Sequence, residues 1–327
     1  MNGRKVLFIS LLGFLVLAFG WGVAQATISI DVNCTMKPGG SEEVAIKKFK
    51  EIVEKESDGR MKVKMFMSGQ LGGEKAQVEL LKQNQTQMAL SGGSYLNWCA
   101  KDFDPITIPF YLTNWECVQA YMSGPLGQKI RELSAEKGNL VLFDVQKRGP
   151  RHTTSNRKIV EPEDIKGLKI RMPPFPIWVD VWSSLGAQCT VIPPTEIYLA
   201  MKTGQVDAHE NSLVSPYSRK LWEVQKYVIL TGHIHFPWHW LASKQWFDKL
   251  EAKDQELIRK AVKAAVQVGN AIEDEKDAFY VKELKAKGME FITPNRAAIR
   301  KAAWPAVMKH VNNLNPEVAK EIEKVCK

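Results

Sequence analysis

Polar and apolar residues alternate along "TISIDVNC" (27–34), which predicts a strand. "KPGGSEE" breaks the alternation, and Ser41 with Glu42, Glu43 and Val44 opens a helical period that runs to Asp58-Gly59. "RMKVKMFM" (60–67) alternates again as a second strand, and "SGQLGGEK" turns the chain. The helical stretch "KAQVELLKQNQ" then leads into the extended segment "TQMALSGGSYL" (86–96). The order β-α-β-α-β is that of an open α/β sheet, in which ligands sit beyond the C-terminal ends of the strands. The loops at Thr35, at Gly72 to Glu74 and at Gly92 to Tyr95 are therefore expected near one cleft.

A second run begins after Asn139. "LVLFDVQKRGPRHTT" reads as strand and loop, "EPEDIKG" as a helical turn, and "LKIRM" (168–172) as a strand. "PIWVDVWSSLG" is a helix, "AQCTVIP" a strand, "PTEIYLAMKTG" a helix and "VDAHENS" a strand end. "KYVILTGHIHFPWHWLASKQWF" (226–247) reads as long extended chain, and residues 248–288 as a long, broken helical region. Two α/β units joined by extended crossings imply two lobes, and clefts between lobes are favoured ligand sites.

The first 26 residues stand outside this pattern. Arg4 and Lys5, an apolar stretch and Ala24-Gln25-Ala26 predict an export signal cut after Ala26, with a periplasmic product. Removing Arg4 and Lys5 lowers the formal charge of the 327-residue chain from +9 to +7. Lys and Arg are interspersed with Asp and Glu, so the charge implies a soluble surface with a mild pull on anions and no nucleic-acid partner. Five cysteines leave at least one unpaired in a monomer, and spacing does not choose a pair. Neither CxxC nor a Cys/His cluster points to zinc. His233, His235 and His239 lie in "HIHFPWHW", whose bulky apolar residues predict a packed strand, so no metal and no cofactor is expected.

Motifs of catalysis are missing. The chain has no GxSxG, no HExxH, no Walker A sequence and no GxGxxG after a strand. A secreted α/β hydrolase is the remote alternative, and it lacks a nucleophile with an adjacent base. The polar groups that stand out are Arg151, Arg171 and Asn211, each at the end of a predicted strand. Two guanidinium forks and an amide suit a carboxylate. Pro173 and Pro174 stop the strand just behind Arg171 and make that strand end rigid.

These residues carry a resemblance. "EDIKGLKIRMP", "LGAQCTVIPPTEIYLAMKTGQVDAHEN" and "VQKYVILTGHI", with "FKEIVEKESDGRMKVKMFMSGQLGGEK" before them, resemble the DctP-type solute receptors of tripartite ATP-independent periplasmic (TRAP) transporters. The resemblance implies a two-lobed periplasmic-binding-protein fold of α/β class, with a ligand cleft between the domains and a long C-terminal helical region. Residues 27–148 with 237–276 would form the first lobe, and 149–236 with 277–327 the second. The implied role is a monomeric, non-enzymatic receptor that closes on an organic acid and delivers it to a membrane permease. Arg171 matches the family's selectivity arginine, Arg151 its second basic residue and Asn211 its ligand-contacting asparagine. Pro194 stands where members often carry Phe, and "DAHEN" where "DGQEN" is usual.

Hinge closure would bring Thr35, Glu74 and Tyr95 of the first lobe onto an acid already held by Arg151, Arg171 and Asn211. Small residues at Gly92 and Gly93 are expected to open the pocket. Trp98, Phe175, Phe236 and Trp238 lie near the predicted cleft loops, which suggests a stacked aromatic acid of indole or phenyl type. The alternative is a small 2-oxo acid, C4-dicarboxylate or sulfonate. Trp178 and Trp182, four apart on one helix, read equally as core.

Overall fold

The computed structural model describes residues 27–326, so the predicted export signal at 1–26 lies outside the described residues. The first sheet begins with β1 (Ile28–Cys34), α1 (Ser41–Glu56), β2 (Met61–Phe66), α2 (Glu74–Lys82) and β3 (Met88–Ser91). The single turn α3 (Leu96–Cys99) and the pair α4 (Trp115–Ser123) and α5 (Pro125–Glu136) lead into β4 (Leu140–Gln146). The chain then crosses to a second sheet through β5 (Arg151–Ser155), β6 (Lys169–Met172), α6 (Pro176–Ser184), β7 (Gln188–Val191), α7 (Ile197–Lys202), β8 (Ala208–Asn211), α8 (Val214–Ser218) and β9 (Tyr227–Ile234). It returns through β10 (Trp238–Ser243), the short α9 (Lys244–Phe247) and α10 (Ala252–Ala286), and ends with β11 (Glu290–Ile292), α11 (Arg296–Val311) and α12 (Pro316–Val325).

The strand order is β2-β1-β3-β10-β4 in one sheet and β11-β9-β5-β8-β6-β7 in the other. In the first, β1 pairs parallel with β2 and β3, while β10 runs antiparallel to β3 and β4. In the second, β6 lies parallel between β7 and β8. Each sheet thus takes one strand from a distant part of the chain, and the crossings Lys147–Pro150 and His235–Pro237 join the lobes. The expected run of extended chain over 226–247 is two strands in two sheets, because Pro237 supplies no N–H to continue a ladder.

One further expectation is resolved and another changes. The long helical region expected over 248–288, with a break left open, is one continuous helix, α10, of 35 residues, roughly 50 Å long at 1.5 Å per residue. Its interior has no proline, and its one glycine, Gly269, leaves room for Gln146: an added Cβ would stand 2.5 Å from Gln146 Nε2. On one side, Ile258, Ala261, Val262 and Ala265 pack with Ala45, Ile46, Phe49 and Val53 of α1 in a continuous core. The expectation that 277–327 belongs to the second lobe fails at its end. While α11 packs on α6, α12 turns back to α4, where Val318 and Ile322 are buried. Cys117 on α4 is bonded to Cys326 just after α12, and Cys34, Cys99 and Cys189 are free.

Candidate functional site

Arg171 emerges one residue before the end of β6 and is only 2% exposed. Its Nε donates to the Ile192 carbonyl at 2.8 Å, while its Nη2 is buried without a partner. Ile192 leads into Pro193 and Pro194, which line a cavity of about 650 Å³ between the lobes. Among the described residues no carboxylate stands within ion-pair distance of Arg171. Burial pushes its pKa down to about 9, with the Arg151 and Arg219 charges adding to the fall and Glu210 opposing it. It stays protonated at neutral pH. An anion arriving here would satisfy a buried cation that the protein leaves unsatisfied.

Arg151, at the start of β5, is committed differently. Its Nε and Nη2 meet Glu210 Oε2 and Oε1 at 2.7 and 2.8 Å in a bidentate pair, and Nη2 also donates to the Glu210 carbonyl at 2.9 Å. Nη1 donates to Asn211 Oδ1 at 2.9 Å. Burial pushes the Glu210 carboxyl up, but the Arg151 charge and hydrogen bonds, with His233, hold it well below the usual carboxylate range. Four of the five Arg151 N–H groups are occupied within the protein. Arg151 therefore fixes the strand ends more than it offers a free fork.

Asn211 Oδ1 also accepts from Arg148 Nη2 at 2.7 Å and from the Ser212 N–H at 2.9 Å. With its oxygen so occupied, the amide nitrogen is the part of Asn211 left to donate. Arg148 is buried, donates through Nε to Ser212 Oγ at 3.1 Å, and lies 4.1 Å above the Trp238 ring. Burial pushes its pKa down to about 10, as does Arg151, while Glu42, Glu74 and Glu273 pull it back. Arg148, Arg151 and Asn211 thus form one hydrogen-bonded group, and Arg171 stands next to it with donors to spare.

The first lobe carries one cavity residue and a set of buried, unpartnered polar groups. Thr35 lines the cavity. Asn33 pairs in register with Ala89, so Asn33, Ala89 and Ser91 share the sheet face that α2 covers through Val78 and Leu81. Both amide atoms of Asn33, both of Gln77 and the Ser91 hydroxyl are buried without partners. Glu74, at the first turn of α2, accepts the Ser94 N–H at 3.1 Å. Gly92 does not widen the pocket as expected. A Cβ there would stand 2.7 Å from Glu74 Oε1, so the missing side chain makes room for that carboxylate.

Several predicted contacts lie elsewhere. Tyr95 is buried in the core, its hydroxyl 2.9 Å from His239 Nδ1, and does not face the cleft. Trp98 is 45% exposed on the outer surface, with Lys82 Nζ 4.6 Å from its ring centroid. Phe175 stacks on Trp178 at 4.8 Å, and Phe236 meets both rings edge-on at 5.4 and 5.5 Å. These three rings are buried and pack against one another, with Arg151 over Trp178 at 4.8 Å. Trp238 is the platform under Arg148. Tryptophan richness therefore serves to hold arginines and core, because stacked rings shield guanidiniums whose faces are weakly hydrated. The histidines separate: His233 Nε2 lies 3.2 Å from Glu210 and His239 joins Tyr95.

Sequence reasoning missed Arg148, Glu210, Asn33, Gln77, Ser91 and Arg219. Two carried a usable signal. Asn33 is a polar residue in the last, apolar part of a strand, and Glu210 is an acid inside "VDAHEN" between apolar neighbours. Nothing in "YSRK" distinguishes Arg219 from a surface charge, and Arg148 in "QKRGP" reads as loop.

Comparison with known proteins agrees with this geometry. Residues 33–314 match the family described as DctP, bacterial extracellular solute-binding protein, family 7. A solute-binding protein of Verminephrobacter eiseniae is 33% identical over 290 residues, covering 88% of this chain and 85% of the relative. The crystal structure of a TRAP periplasmic solute-binding protein from Roseobacter denitrificans with bound L-galactonate superposes with a TM-score of 0.85 at 28% identity, covering 93% of this chain and 100% of that one. A TRAP receptor from a Sulfitobacter species with bound β-D-galacturonate gives a TM-score of 0.83 at 26% identity, covering 91% of this chain and 99% of that one. These neighbours bind substrates for transporters and are not enzymes. With the match spanning most of the described residues, the chain belongs to the DctP family of TRAP-transporter solute-binding proteins.

Proposed function

We propose that this protein is an exported, monomeric receptor that captures a small, hydroxylated organic acid and hands it to a TRAP permease. The carrying observation is Arg171: a buried guanidinium with an unpaired Nη2 and no carboxylate of its own, bonded to Ile192 just ahead of the cavity-lining Pro193 and Pro194. Asn211, kept in place by Arg148 and Arg151, offers its amide nitrogen as a second donor. Asn33, Gln77 and Ser91 leave five side-chain polar atoms unsatisfied on the first lobe, which suits the hydroxyl groups of an acid better than an aromatic ring. The galactonate and galacturonate of the structural neighbours fit the same chemistry. An indole or phenyl acid is the weaker reading, because Phe175, Trp178 and Phe236 already use their faces on one another.

Binding would proceed from the second lobe, where Arg171 receives the carboxylate. Closure would then bring Thr35 and the first lobe over the rest of the molecule. The test is calorimetry with sugar acids, short dicarboxylates and phenyl or indole acids. Loss of one charge-assisted contact costs about 1.5–3 kcal/mol, and a buried fork making two such contacts more. Arg171→Ala is expected to weaken the best acid at least about 100-fold while the protein remains folded. Undiminished affinity in that variant, or a preference for indole acids over hydroxylated ones, would reject the corresponding part of the reading.

A further inference from the structure

The crossing from the first lobe to the second is fastened along one stripe of α10. Asn270, Glu273, Asp274 and Asp277 recur at helical intervals, so they share one side of the helix. The Lys147 N–H donates to Asn270 Oδ1 at 2.6 Å, and the Gly149 N–H to Glu273 Oε1 at 2.8 Å. Lys147 Nζ reaches Asp274 Oδ1 at 2.6 Å. Asp277 closes the stripe against Gly149, where an added Cβ would stand 2.3 Å from Asp277 Oδ2. The missing side chain of Gly149 thus makes room for a carboxyl group.

Arg148 lies between the two anchored N–H groups. Its Nη2 donates to Asn211 Oδ1 at 2.7 Å and its Nε to Ser212 Oγ at 3.1 Å. The backbone on either side of Arg148 takes its place from α10, and Arg148 carries that placement to the end of β8. A helix face that runs along the first lobe is in this way joined to a site residue of the second. The other oxygen of Glu273 meets the Ser41 hydroxyl at the start of α1, next in the chain to the buried Glu42. Among the described residues neither Glu273 nor Asp277 has a basic side chain within ion-pair distance. Two such carboxyl groups, one helical turn apart, ionise together only at a cost.

We infer that Glu273 and Asp277 are positioning residues for acid binding: in their neutral forms they hold the Lys147–Gly149 crossing on α10 and so aim Arg148 at Asn211, and when they ionise the crossing loosens and the acid is held more weakly. The link to affinity rests on the proposed receptor function; the fastening of the crossing does not. Burial, with Glu42 and Asp277, raises the Glu273 pKa to about 8. Burial, with Asp274, raises that of Asp277 to about 7 against the pull of Lys147 and Arg148. The fastened state therefore binds protons that a solvated chain has already lost, and it weakens as pH rises through about 7 to 8. The charged and titratable groups facing the pair are Glu42 of α1, itself raised by burial, Lys147 and Arg148 of the crossing, and Asp274, Lys276 and Tyr280 of α10. Beyond them, Cys34 of β1 adjoins Glu42, His235 of the second crossing adjoins Lys147 and Asp274, and Tyr217 of α8 packs on Tyr280 at 5.2 Å. Burial raises Cys34 to about 12, raises Tyr280 well up and lowers His235 to about 4, so these three keep their charge between pH 6 and pH 8.

The experiment has a ligand-free arm and a binding arm, each run at pH 6 and pH 8 on the wild type, Asp277→Asn and the double variant Glu273→Gln/Asp277→Asn. In the first, hydrogen exchange corrected for the intrinsic rate is expected to show wild-type protection of the Gly149 N–H falling about 10-fold from pH 6 to pH 8. In the second, calorimetry with L-galactonate should give a wild-type Kd about 10-fold larger at pH 8. The double variant keeps the acceptor oxygens and cannot ionise, so both quantities should stay within about 2-fold of their wild-type values at pH 6. Arg171, with a pKa of about 9, stays mostly protonated over this range. A double variant that does not fold leaves Asp277→Asn, which should lose most of the change. Protection that does not respond to pH, or that falls equally in the folded variants, overturns the inference. Protection that falls while affinity stays flat overturns the link to the site and leaves the receptor reading intact. If L-galactonate binds at neither pH, the affinity half falls with the receptor reading for this acid, and the exchange arm decides the fastening by itself.

Discussion

At the scale of single residues, the site separates two uses of arginine. Arg151 is a structural cation, held in a bidentate pair with Glu210 and packed over Trp178. Arg171 is left with free donors. Both are strand-end arginines in the sequence, and only their neighbours in space distinguish them. A third kind of charge lies at the crossing between the lobes. Glu273 on α10 accepts the Gly149 N–H at 2.8 Å and the Ser41 hydroxyl. Burial, with the nearby charges of Glu42 and Asp277, raises its pKa from 4.5 to about 8. The folded protein thus holds this proton more tightly than the unfolded chain does. The contribution of Glu273 to stability is full below pH 4.5 and declines as pH rises towards about 8. Glu273→Gln keeps the acceptor oxygen and removes the titration. Thermal unfolding at pH 5 and at pH 8 should show a smaller drop in Tm for this variant than for the wild type. An equal drop in both would remove Glu273 as the cause.

At the scale of elements, the site is precise because strand ends are stopped and helix faces are packed. Met172 is the last residue of β6 before Pro173 and Pro174, which offer no N–H to extend the ladder. Helix α4 starts on the Asn114 side chain, which accepts the Cys117 N–H at 2.7 Å. The contact between α1 and α10 supports the first sheet from behind, with Phe49 fully buried against Trp240 at 5.6 Å. Phe49→Ala should cost about 3–5 kcal/mol of unfolding free energy. Because Phe49 lies on the face of the sheet away from Asn33 and Ser91, ligand affinity at temperatures where the variant is folded should be nearly unchanged. Chemical denaturation and calorimetry on one sample check both halves of this expectation.

At the scale of the whole molecule, the lobes are connected by more than their crossings. Helix α10 runs along the first lobe and also reaches α8 of the second. Helix α12 carries the chain end back to α4, where the Cys117–Cys326 bridge closes a separation of 209 residues. Such a long closed loop restricts the unfolded chain strongly, and removing a bridge of this kind costs about 2–5 kcal/mol. Cys326→Ser is expected to lower Tm by several degrees and to be insensitive to reductant. Concretely, dithiothreitol should lower the Tm of the wild type to that of Cys326→Ser, and leave the variant where it is. A wild-type Tm unmoved by reductant would show that the bridge contributes nothing. The bridge lies on α4, away from the cavity residues, so it belongs to stability and not to ligand choice.

Local pattern alone determined much of this. Alternation marked β1 and β2, the helical period marked α1, α2 and α10, and the proline pair marked the end of β6, since each signal arises within a few residues of chain. The arginine at that strand end was legible with them, and family motifs carried Arg151 and Asn211. Only the tertiary structure decided which cation is free. That depends on Glu210, Asn211 and Arg148 meeting Arg151, across separations of up to 63 residues in the chain. It also decided that Tyr95 and the Phe175–Trp178–Phe236 rings face inward, and that Asn33 and Ser91 share one face of the sheet. An aromatic residue near a predicted cleft has the same composition whether it lines the cleft or packs behind it. Packing geometry makes that choice, and it is set by strand register and sheet order, which no local period encodes.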